Sequence, residues 1–472
     1  MKELDLVGLD LGPFDADDDQ NLSEYFVSFG EFDALLAKKN LFVVGVKGSG
    51  KSAIKRYLLN SRVENQQFVI AIDDTYSVPI SELETSSPAE IKNKMKGYIT
   101  GIVIRYLLES DEVSTVSKGK LKRFEDSVPL IKTLLKPVKI RPPYFEIAVG
   151  ELFPEDKRSG LLRVIDPSMS QAILESLAGN DLWILVDDIH RVFTSDNQEL
   201  SLKFIEGLIY ATSDLVVRTF QKQLHMVLFL RAEIYEELNL RASELDKELQ
   251  YLWQIVWDSD ELKNFLAERI RWVLNGEPDL DSWKYWKLIF NTKNKKETID
   301  LQNYMIERLI NGPRDLLLMV DLARKTAISQ ESRMIGLTHI QESEFEYGDE
   351  KLNQINRNFQ ESYEGIKQVL DYLFRKEKRI YKRGDLEQHI RKRLLIDPDA
   401  LKNFDRMRWI RGCTAFHFLE ILYRIGFIGY WDKTYERYVY VLEQANPDKT
   451  LVASSLFKIH SAFTRYLELS DS

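Results

Sequence analysis

The chain has 472 residues, room for two to four domains at roughly 100–200 residues each, and its 44% hydrophobic content can fill sizeable cores. Charged residues make up 29% and no apolar run approaches the roughly 18 residues that span a bilayer, which excludes a membrane protein. The single cysteine, Cys413, excludes an intramolecular disulfide and a Cys-rich zinc site, the six histidines lack metal-ligand spacing, and a net charge of −9 excludes a chain built throughout to hold nucleic acid.

In chain order, the N-terminus MKELDLVGLDLGPFDADDD is acidic, with neither the basic nor the apolar region of a secretory signal, so a cytoplasmic location is expected. Residues 1–20 read as extended. Residues 22–38 carry Leu22, Tyr25, Phe26, Phe29, Phe32, Leu35 and Leu36 at helical spacing. LFVVGV (41–46) is a short apolar run ending near glycine, the pattern of a buried parallel strand, and a helix follows from about Lys51. FVIAID (68–73) reads as a second strand and 88–110 as a helix. The proline-containing stretch 111–168 reads as an insertion of short helices, a loop and a hairpin. A helix over 169–178, the strand LWILVDD (182–188), a helix over 198–220 and the strand MVLFLRAEI (226–234) complete an open α/β pattern with crossover connections. Residues 260–345 are helical throughout.

One motif carries chemistry directly. Gly45-Val46-Lys47-Gly48-Ser49-Gly50-Lys51-Ser52, followed by Ala53, fits G-x-x-x-x-G-K-[ST] at every position, between a strand and a helix. Such a loop curls so that backbone N–H groups face phosphate oxygens, and glycines allow the angles and the close approach. The helix N-terminus adds partial positive charge. Lys51 is the residue for the β- and γ-phosphates and the Ser52 hydroxyl a ligand for Mg²⁺. The strand LWILV then delivers two acids. Asp187, at the tip, is assigned to Mg²⁺; Asp188 is assigned to orienting or deprotonating the attacking water. Aspartate is shorter than the commoner glutamate, so turnover is expected to be slow or partner-stimulated. Arg231, at the end of MVLFL, is a candidate γ-phosphate sensor or a surface arginine. Arg314 in Asn311-Gly312-Pro313-Arg314-Asp315 opens a helix and is a candidate to reach the nucleotide from a lid. The absence of a guanine-reading N/T-K-x-D segment favours ATP over GTP.

GVKGSGKS, LWILVDD, FLRAE and NGPRDLLLMV, in that order, resemble the signal-transducing (STAND) and origin-recognition-like AAA group of P-loop ATPases. GPFDADDDQNLSEYFV resembles the FGxxDAxxD-like opening of a bacterial P-loop ATPase family, with Pro13 as a departure and the leading aromatic-glycine pair altered. The resemblance covers roughly residues 10–330. It implies an α/β P-loop NTPase fold with a mainly parallel sheet, a helical lid, and an α+β winged-helix-like C-terminal domain. The expected divisions are 1–40 as an extension of the nucleotide domain, 41–258 as that domain, 259–350 as the lid and 360–472 as the C-terminal domain. It also implies ATP and Mg²⁺ as ligands, a regulatory switch or sensor, and a link of such bacterial families to phage defence. A homo-oligomer is expected, because a neighbouring subunit can supply an arginine to the γ-phosphate; Arg218 and Arg241 are the candidates. The rival readings are a scaffold that binds ATP with little turnover and a nucleic-acid-processing subunit. A phosphate-transferring kinase is a further alternative, for which the helical extension offers no recognisable acceptor site.

The C-terminal part is charged differently from the rest. Residues 365–442 hold 17 basic and 10 acidic residues, a balance of +7, which leaves −16 for the remainder. Helices are expected at 366–376, 384–395 and 414–425, followed by a hairpin from FIGYW and RYVYVLE, the order of a winged helix. Arg391, Lys392, Arg393, Lys433 and Arg437 are candidate DNA-phosphate contacts. Protein interaction or oligomerisation is the competing role, because the third helix, TAFHFLEILYRI, is mostly apolar.

Overall fold

A computed structural model describes residues 6–64, 67–73, 87–125, 140–141, 144–148, 167–189, 198–241, 245–276, 281–310, 312–360, 362–440 and 454–470. They fall into two compact units. One holds Ala16–Ser23 and Ser28–Ile255; the other holds Met1–Asp15, Glu24–Val27 and Val256–Ser472.

The first unit is an α/β layer structure around a seven-stranded sheet of order β3-β4-β2-β5-β6-β1-β7. The strands are β1 (Phe42–Gly45), β2 (Phe68–Asp73), β3 (Ile140–Arg141), β4 (Tyr144–Ala148), β5 (Leu182–Val186), β6 (Leu224–Arg231) and β7 (Leu252–Gln254). Every neighbouring pair is parallel except β3 with β4. Residues of β1 and β5 are buried without exception, which is why these strands are continuous apolar runs rather than alternating ones. The helices of this unit are α1 (Phe32–Leu36), α2 (Lys51–Glu64), α3 (Pro88–Glu109), α4 (Thr115–Glu125), α5 (Pro167–Leu177), α6 (Gln198–Ser213) and α7 (Ala232–Arg241). A capping box starts α3: Ser87 Oγ accepts from Glu90 N at 3.3 Å, and the Glu90 carboxylate accepts from Ser87 N at 2.7 Å. α6 packs closely on α3 because position 207 is glycine; a Cβ there would lie 2.9 Å from Ile91 Cβ. α6 runs on into a π-helical turn, Asp214–Thr219, anchored by ion pairs of Asp214 with Lys92, Lys96 and Arg218.

The second unit begins with helices α8 (Ser259–Val273), α9 (Ser282–Ile289), α10 (Lys295–Ile306), α11 (Pro313–Ser329) and α12 (Leu337–Asn358). It continues through α13 (Ile366–Phe374), β8 (Ile380–Lys382), α14 (Arg383–Ile390), α15 (Pro398–Asn403), α16 (Ala415–Arg424), β9 (Ile428–Asp432), β10 (Arg437–Val439) and β11 (Leu456–Ile459). The four strands form an antiparallel sheet of order β10-β9-β11-β8. One continuous apolar cluster runs from Leu262 on α8 through Tyr347 on α12 to Phe427, Phe457 and Phe463. The helical part and the winged-helix-like part therefore share a core.

Several sequence expectations need correction. The helix expected over 22–38 is reduced to a 3₁₀ turn at Leu22–Glu24 and the short α1. Gly30 lies between them at φ +52°, and its Cα faces the Trp253 indole, with Nε1 3.1 Å from where a Cβ would stand. The 1–40 extension is divided between the units. Leu6 and Leu9 belong to the helical unit's core, Arg324 donates to the Leu6 carbonyl at 2.9 Å, and Tyr25 packs edge-on against Trp272. The helix expected over 384–395 becomes π-helical at Arg391–Leu395. Strands β7, β8 and β11 are additions. The hairpin in the 111–168 insertion is β3–β4, and β4 continues the parallel sheet beside β2; most of the remaining insertion lies outside the described residues.

Two buried features have measurable consequences. Lys351 Nζ lies 2.7 Å from Asp315 Oδ1, with both side chains 1% exposed. The other Asp315 oxygen accepts from Ile310 N at 3.0 Å, and burial together with Asp315 pushes the Tyr347 phenol far up. Removing one partner leaves a buried charge alone, so Asp315→Ala should cost about 3–5 kcal/mol in urea unfolding. Asp315→Leu combined with Lys351→Met should recover most of that loss.

The second feature is His225 on β6, packed edge-on against Trp183 at 4.4 Å between centroids. Burial, then the Lys38 and Arg62 charges, lower its pKa to about 3. Below about pH 6.5 the unfolded chain binds a proton that the folded chain refuses, so stability falls as pH drops from there toward 3, by about 1.4 kcal/mol per pH unit once well below 6.5. Urea midpoints between pH 7.5 and 4.5 should show this slope, and His225→Phe should remove it while leaving the other groups' contribution.

Candidate functional site

The site forms at the carboxyl ends of β1, β6 and β5, where open α/β sheets bind ligands. Residues Val46 to Gly50 connect β1 to α2. Gly48 and Gly50 have φ of +90° and +103°, conformations that favour glycine. Gly45 has no room for a side chain: a Cβ would collide with Ser49 Oγ and come within 3.2 Å of Ile255 Cβ. Lys47 is exposed, Ser49 is buried, and Ala53 is half-buried in the first turn of α2. Ser49 N donates to the Val46 carbonyl at 3.2 Å, closing a turn within the loop. Lys51 Nζ donates to the carbonyls of Gly45 at 2.5 Å and Val46 at 2.8 Å, which holds the ammonium inside the loop's curve.

Ser52 Oγ donates to Asp187 Oδ2 at 3.3 Å across 135 residues of sequence. Asp187 is buried just beyond β5, and its own N–H donates to the Ile72 carbonyl of β2 at 3.0 Å. Its other carboxylate oxygen accepts from Asp188 N at 2.8 Å. Asp188 is half-buried and has φ +59°, a left-handed conformation uncommon outside glycine and more accessible to Asp and Asn than to most residues. The chain therefore turns sharply immediately after Asp187. Arg231 is the last residue of β6 and the register partner of Gly45, so it stands beside the entry to the loop.

The structure thus gathers Gly45 to Ser52, Asp187, Asp188 and Arg231 at the carboxyl ends of three adjacent interior strands. Arg314 belongs to the helical unit, where it donates to the Phe14 carbonyl at 3.3 Å and pairs with Asp15 at 3.4 Å. Arg218 lies on the π turn that precedes β6, hence toward the opposite ends of the strands, and pairs with Asp214. The Arg241 side chain and Asn311 lie outside the described residues. Sequence reasoning missed Lys55, whose ammonium is 3.6 Å from Asp187 Oδ2 and whose side chain is 8% exposed. The available signal was a lysine one turn after Lys51, beside the buried Ile54 and Leu58.

Of the C-terminal candidates, Arg391 and Lys392 are exposed on the π turn after α14, and Lys433 and Arg437 are exposed around the β9–β10 turn. Arg393 is committed internally, to Glu377 at 2.5 Å and the Tyr372 carbonyl at 3.4 Å. The expected third helix, α16, buries Ala415, Phe418, Leu419, Ile421, Leu422 and Tyr423. Among the described residues no group of three or more His, Cys, Asp or Glu could hold a metal. Among them, too, no helix is long and apolar enough to cross a membrane.

A family model for the FunZ-associated C-terminal helical domain matches residues 260–356, the stretch from α8 to α12. The transposon gamma-delta 80.3 kDa protein of Escherichia coli (strain K12) is 22% identical over 477 residues, covering 96% of this chain; the chain spans 66% of that relative's length. Among solved structures, the Aeropyrum pernix ORC1 protein in complex with DNA is 12% identical, with 90% of this chain and 92% of that chain covered and a TM-score of 0.34. The Aeropyrum pernix ORC2 protein is 10% identical, covering 95% and 98%, at a TM-score of 0.36. The Drosophila ORC bound to DNA is 10% identical, covering 93% and 85%, at 0.27. TM-scores this low mark a loose likeness.

Proposed function

We propose that the chain binds ATP with Mg²⁺ and hydrolyses it as a regulatory NTPase, a molecular switch or sensor. The observation that carries this reading is the meeting of Ser52 and Asp187 at 3.3 Å, beside a loop whose glycines adopt left-handed angles. A hydroxyl and a carboxylate are hard oxygen donors, suited to Mg²⁺ when phosphate and water supply the remaining ligands. Ser52 and Asp187 would hold the ion, which when bound neutralises charge on the β- and γ-phosphate oxygens.

The chain's own groups account for the rest. Backbone N–H groups of the loop and the start of α2 bind the phosphates, and Lys51 exchanges two carbonyl partners for phosphate oxygens. Arg231 stabilises charge on the γ-phosphate. Asp188, beyond the strand tip, orients the attacking water and accepts its proton. The bacterial and phage-defence setting is carried only by the sequence resemblance.

Lys51→Ala should abolish hydrolysis and weaken triphosphate binding at least about tenfold, because it removes the charge facing the phosphates. Asp188→Asn should slow turnover by about 10²–10⁴-fold while ATP stays bound. Single-turnover hydrolysis and equilibrium binding of a fluorescent ATP analogue measure both. Wild-type turnover in purified Lys51→Ala would refute the assignment.

A second reading adds DNA, held through phosphates by the C-terminal module. Exposed Arg391, Lys392, Lys433 and Arg437 support it. Affinity for a short duplex should then fall steeply with salt, and Arg391→Ala with Lys392→Ala should flatten that slope equally for all sequences. No binding at low salt, with ATP and without, would leave a protein-facing module.

A further inference from the structure

One oxygen of Asp187 faces both a hydroxyl and an ammonium. Its Oδ2 accepts from Ser52 Oγ at 3.3 Å and lies 3.6 Å from Lys55 Nζ. The two ionic side chains are 6% and 8% exposed, so the pair is screened little by water. Lys55 follows Ser52 by three positions on α2, so both side chains lie on one face of the first turns. A divalent ion bound between Ser52 and Asp187 would share a carboxylate oxygen with this ammonium. The two cations would repel one another while both interact with the Asp187 carboxylate.

We propose that Lys55 is a positioning residue that sets the Mg²⁺ requirement of the nucleotide site, by competing through its ammonium for Asp187. The inference rests on the reading of the site as an ATP·Mg²⁺ site. In this role Lys55 holds the Asp187 carboxylate by ion pairing beside Ser52, and it weakens retention of a divalent ion without the β- and γ-phosphates to help. Metal and nucleotide are thereby made to bind together. Asp188 N on the other oxygen fixes the carboxylate's orientation, so that Oδ2 is the oxygen facing both Ser52 and Lys55.

The experiment titrates Mg²⁺ into the full-length chain at fixed fluorescent ATP analogue and reads the Mg²⁺ concentration for half-maximal binding. Lys55→Met and Lys55→Gln remove the charge and keep much of the length. Each should lower that midpoint about five- to tenfold, since one neighbouring unit charge is lost from a poorly screened site. Lys55→Arg keeps the charge and should stay close to wild type. Circular dichroism establishes that each variant is folded, and either neutral variant suffices if the other is not. Wild-type binding with an unmoved midpoint in a folded neutral variant overturns the role of Lys55 and leaves the nucleotide site standing. A shift in Lys55→Arg as large as in Lys55→Met overturns the charge argument in favour of packing. Failure of the wild-type chain to bind the analogue at any Mg²⁺ concentration overturns the ATP reading and this inference with it.

Discussion

Three parallel strands ending on one side are the constraint from which the site follows. The ladders pair Val186 with Leu228 and Gly45 with Arg231, so β5, β6 and β1 run in step toward the same side. Adjacent strands stand about 4.8 Å apart, which puts the columns of β5 and β1 roughly 10 Å from each other. The hydrogen bond from Ser52 to Asp187 therefore requires the loop and the first turn of α2 to cross that gap. Gly45, Gly48 and Gly50 make the crossing tight enough: the first cannot carry a side chain beside Ser49, and the other two hold left-handed angles. A slip of one residue in the β6–β1 register would separate Arg231 from Gly45 and turn each β1 side chain to the other face.

The charges at these strand ends are arranged so that few stand alone. Lys51 rests on two carbonyl oxygens of its own loop, and Asp187 is shared by a hydroxyl, an ammonium and a backbone N–H. These contacts matter because Asp187 is buried and an unpaired carboxylate there would be costly. They also make the site responsive. A polyphosphate offers Lys51 charged oxygens in place of neutral carbonyls, and charge-assisted hydrogen bonds are roughly twice as strong as neutral ones.

Much of this was legible in the sequence, for physical reasons that also explain the gaps. Buried parallel strands are unbroken apolar runs, so β1, β2, β5 and β6 stood out. The phosphate loop has strict residue requirements, and two acids following LWILV mark a strand tip. What escaped notice had weak local signals. β7, with Trp253 inward, and β8, a three-residue strand within RKEKRIYKR, are too short for periodicity to register. The aromatic residues of 22–38 fall at helical spacing, but Tyr25 packs against Trp272 and Phe29 against Trp253, in different units. Lys55 is a charged residue on an inward helical face, and its partner lies 132 positions away, which no local pattern encodes.

The burial of α16 limits what the C-terminal module can recognise. A winged helix reads sequence through side chains that its third helix carries into the major groove. Here that helix spends Phe418, Leu419, Ile421, Leu422 and Tyr423 on the core, and His417 is its exposed residue. The sheet reinforces the point. β11 occupies the place between β8 and β9, while β10 is displaced to the outer edge, so the β9–β10 turn with Lys433 and Arg437 projects from an edge hairpin. Basic side chains on a turn supply charge and reach but little base-edge geometry. A +7 module of this form is suited to a polyanion's backbone or to an acidic protein surface. Within α16 itself only His417 is exposed, so what this helix gives the module is packing, and the exposed charge sits on the turns around it.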